Sequence, residues 1–131
     1  MRTTLDLPED LLDSARRALG FKSKTDTIIV ALRGKLDWES VESVNGSLRE
    51  HQTERDVILD VWNLTRCEPA ALVAILQAAM VRAENSRRGF ALVGEPSWTA
   101  MDAIEANPAT RSLVHCRDTH AACVALRRVP A

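Results

Sequence analysis

The sequence predicts an α/β domain in which helices pack on a mixed sheet of mostly parallel strands, preceded by a short strand–helix segment. From residue 26 onward, short runs of Val, Ile and Leu alternate with segments of helical periodicity, in four successive strand–helix pairs. Such alternation is typical of sheets with parallel neighbours. Hydrophobic residues make up 46% of the chain and aromatic residues only 4%. An aliphatic core of this kind suits helices packed on a sheet.

Composition and charge limit the classes of function. The net charge is −1 and the pI is about 6.3, so no overall positive field favours nucleic acid or an anionic membrane. The longest mainly apolar run, residues 70–81, is shorter than the roughly 20 residues that a membrane-spanning helix needs. Three irregularly spaced cysteines and an N-terminus without a signal-peptide profile predict a reduced, cytoplasmic protein.

The central unit is predicted at residues 56–79, as a strand, a tight loop and a helix. Residues 56–62 form an apolar run typical of a strand buried on both faces. Residues 63–67 are expected to form the loop, and Pro69 suits the first turn of the helix that follows. Ligands and partners usually bind at the carboxyl ends of strands in open α/β sheets. We therefore expect the functional site between Asn63 and Val73.

The predicted helix after Pro69 has two different faces. One face is an apolar stripe that should pack on the sheet, made of Leu72, Ile75, Leu76, Ala79, Met80 and Ala83. The opposite face carries small and mostly uncharged residues, namely Ala70, Ala74, Gln77 and Val81. Because a solvated helix face normally carries charges, this face is either a docking surface or an alanine-rich surface without a partner.

The stretch from Asp60 into this helix resembles the signature of STAS domains, the fold of bacterial anti-sigma-factor antagonists and of the cytoplasmic tails of sulfate transporters. In that signature a buried strand runs through a short turn into D-S-S-G-L and an apolar helix. The residues at those five positions here are Glu68, Pro69, Ala70, Ala71 and Leu72. Residues 32–37, L-R-G-K-L-D, are also similar to the L-x-G-x-L-D that closes an early STAS strand. The resemblance covers about residues 26–129.

The STAS resemblance implies a non-catalytic regulatory module that binds a protein partner, either an anti-sigma-factor-like kinase or a scaffold. In the family, a serine of the loop accepts a phosphate from the kinase. The two serine positions here hold Pro69 and Ala70, which have no hydroxyl, so the resemblance implies that this site cannot be phosphorylated. The partner-binding residues that the resemblance implies are Arg66, Glu68, Pro69, Ala70, Val73 and Ala74.

The first segment, residues 1–24, resembles VapB-type antitoxins of the ribbon-helix-helix class, through M-R-T-T-L-D-L and the later G-F-K-S-K-T. Residues 1–7 alternate as a strand, and a helix is predicted over residues 8–20. The resemblance implies a homodimer whose paired ribbons read DNA through Arg2, Thr4 and Asp6. A DNA-binding, antitoxin-like regulator is therefore the alternative function. Otherwise this strand extends the sheet of the STAS-like domain, residues 26–131.

Residues 26–37 can be read in two ways. A helix would supply the second helix of the ribbon-helix-helix unit, and a strand would supply an early member of the STAS sheet. Periodicity does not decide between them. Residues 27–30 are four β-branched residues in succession, and Gly34 inside a helix would cost about 1 kcal/mol. Without this strand the downstream sheet would also lose a member, so we predict a strand.

The remaining elements are predicted as helices at 38–51, 97–107 and 119–129 and strands at 90–93 and 112–116. His115, Cys116, His120 and Cys123 are the only cluster of metal-ligand types, but the first two are adjacent on a strand and point to opposite faces. We expect no metal, no cofactor and no enzymatic activity. Cys67 is the one candidate for a reactive thiolate, because it lies close to a helix N-terminus.

Overall fold

The structure is a computed structural model that describes residues 2–7 and 27–128. The strands are β1 (Arg2–Leu7), β2 (Thr27–Leu36), β3 (Asp56–Cys67), β4 (Phe90–Val93) and β5 (Val114–Cys116). The α-helices are α1 (Val41–Gln52), α2 (Pro69–Ser86), α3 (Trp98–Ala106) and α4 (Thr119–Arg128). A single 3₁₀ turn, Trp38–Ser40, precedes α1. The helix predicted over residues 8–20 lies outside the described residues.

The five strands form one sheet in the order β1-β2-β3-β4-β5, and every described pairing is parallel. The predicted α/β class, with helices packed on a sheet, is confirmed. The sheet is more uniform than the mixed one that we expected, because β1 also runs parallel to β2. Between residues 27 and 128 each strand is followed by a helix that returns the chain to the opposite end of the sheet, which parallel neighbours require.

The contested segment is a strand, as predicted, and the helical alternative is wrong. β2 lies between β1 and β3 and pairs with both. Ile28, Val30 and Leu32 are buried in the main core, so the strand contributes a full apolar face. Gly34 has a φ of 104°, which an α-helix does not allow. The second helix of a ribbon-helix-helix unit is therefore replaced by a strand in the middle of the sheet.

β1 extends this sheet, which was one of the two alternatives for the first segment. It pairs with β2 from Arg2 opposite Ile29 to Leu7 opposite Gly34. Leu5 is buried in the main core while Arg2 and Thr4 are exposed, so these residues alternate between faces as predicted. One edge of β1 is therefore paired with a strand of its own chain, β2.

Helices cover both faces of the sheet. The main core holds side chains of α1, α2 and α3 against one face, and a smaller cluster holds Ala122 and Leu126 of α4 against the other. In β3, Val57, Leu59 and Val61 belong to the first cluster and Ile58 to the second. A strand buried on both faces reads as a continuous apolar run, and this explains the sequence of its first half.

A buried polar contact fixes α1 against α2. Gln52, at the end of α1, is buried, and its Nε2 donates to the carbonyl oxygen of Ala79 at 2.8 Å. Its Oε1 accepts from Nε of Arg82 at 2.8 Å, and the same guanidinium donates to Oδ1 of Asn45 at 3.2 Å. Both functions of the amide are satisfied, which is the condition for burying it at little cost.

We predict that Gln52→Ala lowers the free energy of unfolding by about 1–3 kcal/mol, because it leaves Arg82 without its buried acceptor. Urea denaturation followed by circular dichroism measures the change. Gln77→Ala is the control: Gln77 is a half-buried glutamine on α2, and a change there should stay within about 0.5 kcal/mol. Equal effects of the two substitutions would contradict a special role for the Gln52 amide.

Candidate partner-binding site

The site predicted between Asn63 and Val73 begins on a strand. Residues 63–67 continue β3 to Cys67 and pair with the last residues of β2, so the predicted tight loop is wrong. The extension is stable because β2 also continues, to Leu36, and supplies hydrogen-bond partners. β4 ends earlier, with Val93 opposite Asp60. The ends of β2 and β3 therefore form a ribbon that projects beyond the carboxyl edge of β4, with β1 alongside β2 as far as Leu7 opposite Gly34.

Two irregularities shape this ribbon. The register shifts between Ala31 and Arg33 and again between Gly34 and Lys35, and in each case β3 contains one extra residue. Bulges of this kind redirect side chains. The burial of residues 62–67 follows a period of three instead of two, with Leu64 and Cys67 half-buried and the other four exposed. The bulges thus turn Trp62, Asn63, Thr65 and Arg66 toward solvent.

α2 begins directly after the ribbon and without a side-chain cap. Glu68 is extended, its N–H donates to the carbonyl oxygen of Leu36 at 2.9 Å, and its side chain makes no capping hydrogen bond. Pro69 occupies the first turn, as predicted, where its missing N–H has no helical partner. The first turn carries no acidic residue either. The amino end of α2 therefore keeps its partial positive charge and uncapped N–H groups.

The structure places all six partner-binding residues implied by the resemblance at this end of the sheet. Arg66, Glu68 and Ala70 are exposed, and Pro69, Val73 and Ala74 are half-buried. Val73 also packs against the main core. Val73 and Ala74 are therefore less available to a partner than the sequence suggested, and the exposed part of the predicted site is residues 66–70.

Three exposed tryptophans lie at this end of the sheet, and none was predicted as a site residue. Trp38, which follows β2, is 54% exposed. Trp62 on β3 is 50% exposed and Trp98, the first residue of α3, is 89% exposed. The Trp62 indole Nε1 donates to the carbonyl oxygen of Arg117 at 2.8 Å, so the ring crosses the ends of β4 and β5. A sequence signal existed, since Trp62 ends the apolar run predicted as a strand and Trp98 starts the helix predicted after residues 90–93, and both positions adjoin the carboxyl end of a predicted strand.

Gly94 permits this position of Trp62. It has a φ of 108°, and a Cβ atom there would lie 2.9 Å from the backbone nitrogen of Trp62 and 3.1 Å from its Cγ. His115 adds a further contact, because its Nε2 donates to the Gly94 carbonyl oxygen at 2.7 Å. The end of β4 is thereby enclosed by residues of both neighbouring strands.

Asp60 connects the site to the first strand. This carboxylate is almost completely buried, and its Oδ2 lies 2.9 Å from an Nη atom of Arg2. Its Oδ1 accepts from the backbone N–H of Trp62 at 3.0 Å. Of the three residues that the antitoxin resemblance implied for DNA reading, Arg2 is thus the counter-charge of Asp60 and Thr4 is exposed. The side chain of Asp6 lies outside the described part of the chain.

Cys67 does not have the properties of a reactive thiolate. Burial raises the pKa of its thiol to about 11, against an ordinary value near 9.0. The half-buried position at the core outweighs the effect of the nearby helix N-terminus on the pKa, so Cys67, a candidate that the sequence did not favour, gains no support as a reactive thiolate. Burial, and then the charge of Asp118, also raise the pKa of Cys116. No group of three or more His, Cys, Asp or Glu side chains in the described ranges could hold a metal ion.

Comparison with solved structures finds a similar fold in the anti-sigma factor antagonist SpoIIAA in its unphosphorylated form. The TM-score is 0.63 with 16% sequence identity, over 87% of this chain and 100% of that chain. At this identity the likeness concerns the fold, and it confirms the STAS-like fold expected from the signature around residues 68–72. No protein-family model and no curated protein matches the sequence. None of the described helices is long and apolar enough to cross a membrane.

We predict opposite effects of alanine at two glycines. Gly94→Ala should lower the free energy of unfolding by at least about 2 kcal/mol, because the left-handed conformation and the contact with Trp62 both become strained. Gly46 lies within α1, and a Cβ atom added there would have no atom within 4 Å, so Gly46→Ala should raise stability by about 0.5–1 kcal/mol. Urea denaturation of both variants is the measurement. A neutral Gly94→Ala would contradict the close approach of Trp62.

We predict that alkylation of Cys67 by iodoacetamide is slow at neutral pH and accelerates until the pH approaches 11. A thiol with a pKa of about 11 is mainly protonated below that pH, and only the thiolate reacts. Peptide mapping of the native protein after timed labelling gives the rate for each cysteine, and urea-unfolded protein gives the unperturbed rate. A rate that levels off near pH 8 would show that burial does not control this thiol.

Proposed function

We propose that this protein is a non-catalytic regulatory module that binds a protein partner at the carboxyl edge of its sheet. It would resemble an anti-sigma-factor antagonist that lacks the phosphoacceptor serine, and its partner would be an anti-sigma-factor-like kinase or a scaffold in the cytoplasm. The observation that carries the proposal is the exposure of Trp62 and Trp98 at the carboxyl edge of the sheet, the edge at which α2 also begins. Large aromatic side chains at one end of a fold like that of SpoIIAA are the expected centre of a protein interface.

The charges around these tryptophans favour a protein over a polyanion. Arg66, Glu68, Glu95 and Arg117 are all exposed, and their charges cancel. Nucleic acid binding depends on phosphate neutralisation by an excess of Lys and Arg. A surface of mixed charge with aromatic anchors instead matches the composition of protein interfaces, where Trp and Arg are enriched.

The same surface has no hydroxyl at the two positions where the STAS resemblance implies a phosphoacceptor serine. Ala70 lies exposed in the first turn of α2, where a phosphoryl group would meet the uncapped N–H groups of the helix. Neither Pro69 nor Ala70 can form a phosphoester. We infer a module whose affinity for its partner is not controlled by phosphorylation at residues 68–71. Control would then come from synthesis of the protein or from the partner.

The antitoxin-like alternative has less support. It requires a helix where β2 lies, and it requires Arg2 to face DNA while this side chain neutralises a buried carboxylate. Removing Arg2 from Asp60 would leave a buried charge without its partner, which is costly. We therefore give the protein-binding function preference over DNA binding.

We predict that Ala70→Arg abolishes partner capture without unfolding the protein, because a long charged side chain would cover the surface between α2 and the tryptophans. The test is a pull-down from native lysate, with the captured proteins identified by mass spectrometry. Ala106→Arg is a matched control, since Ala106 is also an exposed helical alanine but ends α3, at the opposite end of the sheet. A partner that binds both variants and the wild type equally would contradict the proposed site.

A further inference from the structure

β3 changes its character along its length. As far as Asp60 it is an interior strand, with β2 on one side and β4 on the other. From Asn63 to Cys67 it keeps β2 but has lost β4. In residues 2–7 and 27–128, no strand pairs with this second half of β3 on the β4 side. Such an edge presents backbone N–H and C=O groups without sheet partners, which makes it a template for another strand.

The position of this open edge is defined by its surroundings. β4 ends at Val93, and Gly94, with a φ of 108°, turns the chain out of the sheet where the open edge begins. The Trp62 indole lies across the strand ends at that point, held by the carbonyl oxygen of Arg117. Trp98 stands where the chain enters α3 from β4. The edge thus has aromatic surface at its inner end and at the adjacent helix start.

We propose that residues 63–67 of β3 bind an extended peptide segment of a partner, which adds to the sheet as a strand in line with β4. This inference rests on the proposed function and specifies how the partner binds. Five residues of strand span about 17 Å, enough to pair with a peptide of similar length. Backbone hydrogen bonds supply affinity, and side chains at alternate positions of the peptide supply specificity.

The chemistry of the edge identifies the kind of segment. An extended peptide can form hydrogen bonds with the backbone N–H and C=O groups of β3. The backbone groups of a helix are already bonded within the helix and cannot do so. Trp62 and Trp98 offer apolar surface, and the charges of Arg66 and Arg117 are balanced by Glu68 and Glu95, so no strong charge of either sign is required. The expected occupant is a segment of low net charge with apolar side chains at every second position.

The test uses the full-length protein and a random peptide library displayed on phage. Enriched peptides are synthesised with a fluorophore, and their affinity is measured by fluorescence polarisation. We expect alternating apolar residues, and N-methylation of every second peptide bond should weaken binding at least about tenfold, as strand pairing requires. Amide hydrogen exchange should slow within residues 63–67 when the peptide is bound.

Matched variants separate this site from others. Trp98→Ala should weaken peptide binding at least about tenfold, because removal of an aromatic anchor from an interface has effects of that size. Trp38→Ala is the control, since Trp38 is 54% exposed but follows β2, the strand that pairs with the other edge of β3. Both residues are exposed, so neither change should unfold the protein, and circular dichroism verifies this.

Four outcomes would overturn the inference: no enriched peptide, binding insensitive to N-methylation, equal loss in Trp98→Ala and Trp38→Ala, or self-association of the protein that the peptide displaces. The last outcome would assign the edge to a second copy of the chain. Failure here is distinct from failure of the proposed function. If partner capture depends on Ala70 while no peptide binds, the module still binds its partner, but through another geometry.

Discussion

The pairing of β2 with β3 is the constraint on which the rest of the structure depends. These are the two longest strands of the described chain, and β3 is buried on both faces between the helices α1 to α3 and the helix α4. Because both strands continue beyond the neighbouring β4, their shared hydrogen bonds carry the backbone out of the core as a ribbon. The site is therefore a consequence of unequal strand lengths.

A second constraint links the ribbon to the rest of the sheet through Asp60. One oxygen of this buried carboxylate binds Arg2 on the first strand, and the other binds the backbone of Trp62 at the first bulge. Trp62 in turn contacts the end of β5 through Arg117, and Gly94 leaves the space for it. These contacts connect β1, the first bulge of β3 and the end of β5, and they hold the exposed Trp62 indole in one position.

The carboxyl edge of the sheet is also where we propose that the protein binds its partner. A phosphate at the amino end of α2 would be favoured by the helix dipole and by uncapped N–H groups, but it needs a hydroxyl to carry it. The first turn of α2 holds Pro69 and Ala70, which have no hydroxyl, and exposed aromatic surface lies at the same edge of the sheet. What the edge retains is the capacity for contact through side chains and through the open backbone of β3, which is why we propose constitutive recognition of a protein.

The sequence alone determined the element order, the α/β class and the start of α2 at Pro69, because side-chain periodicity, β-branched runs and proline geometry are local properties. It also determined that no phosphoester can form at Pro69 or Ala70. The tertiary structure alone decided that residues 63–67 are strand, that β1 pairs with β2, and that burial raises the pKa of the Cys67 thiol. Each of these depends on residues distant in sequence: β2 supplies the hydrogen bonds, and the packed core removes water from the thiol. The exposure of Trp62 and Trp98 was also decided by the tertiary structure alone, because it depends on which surfaces the folded chain leaves uncovered.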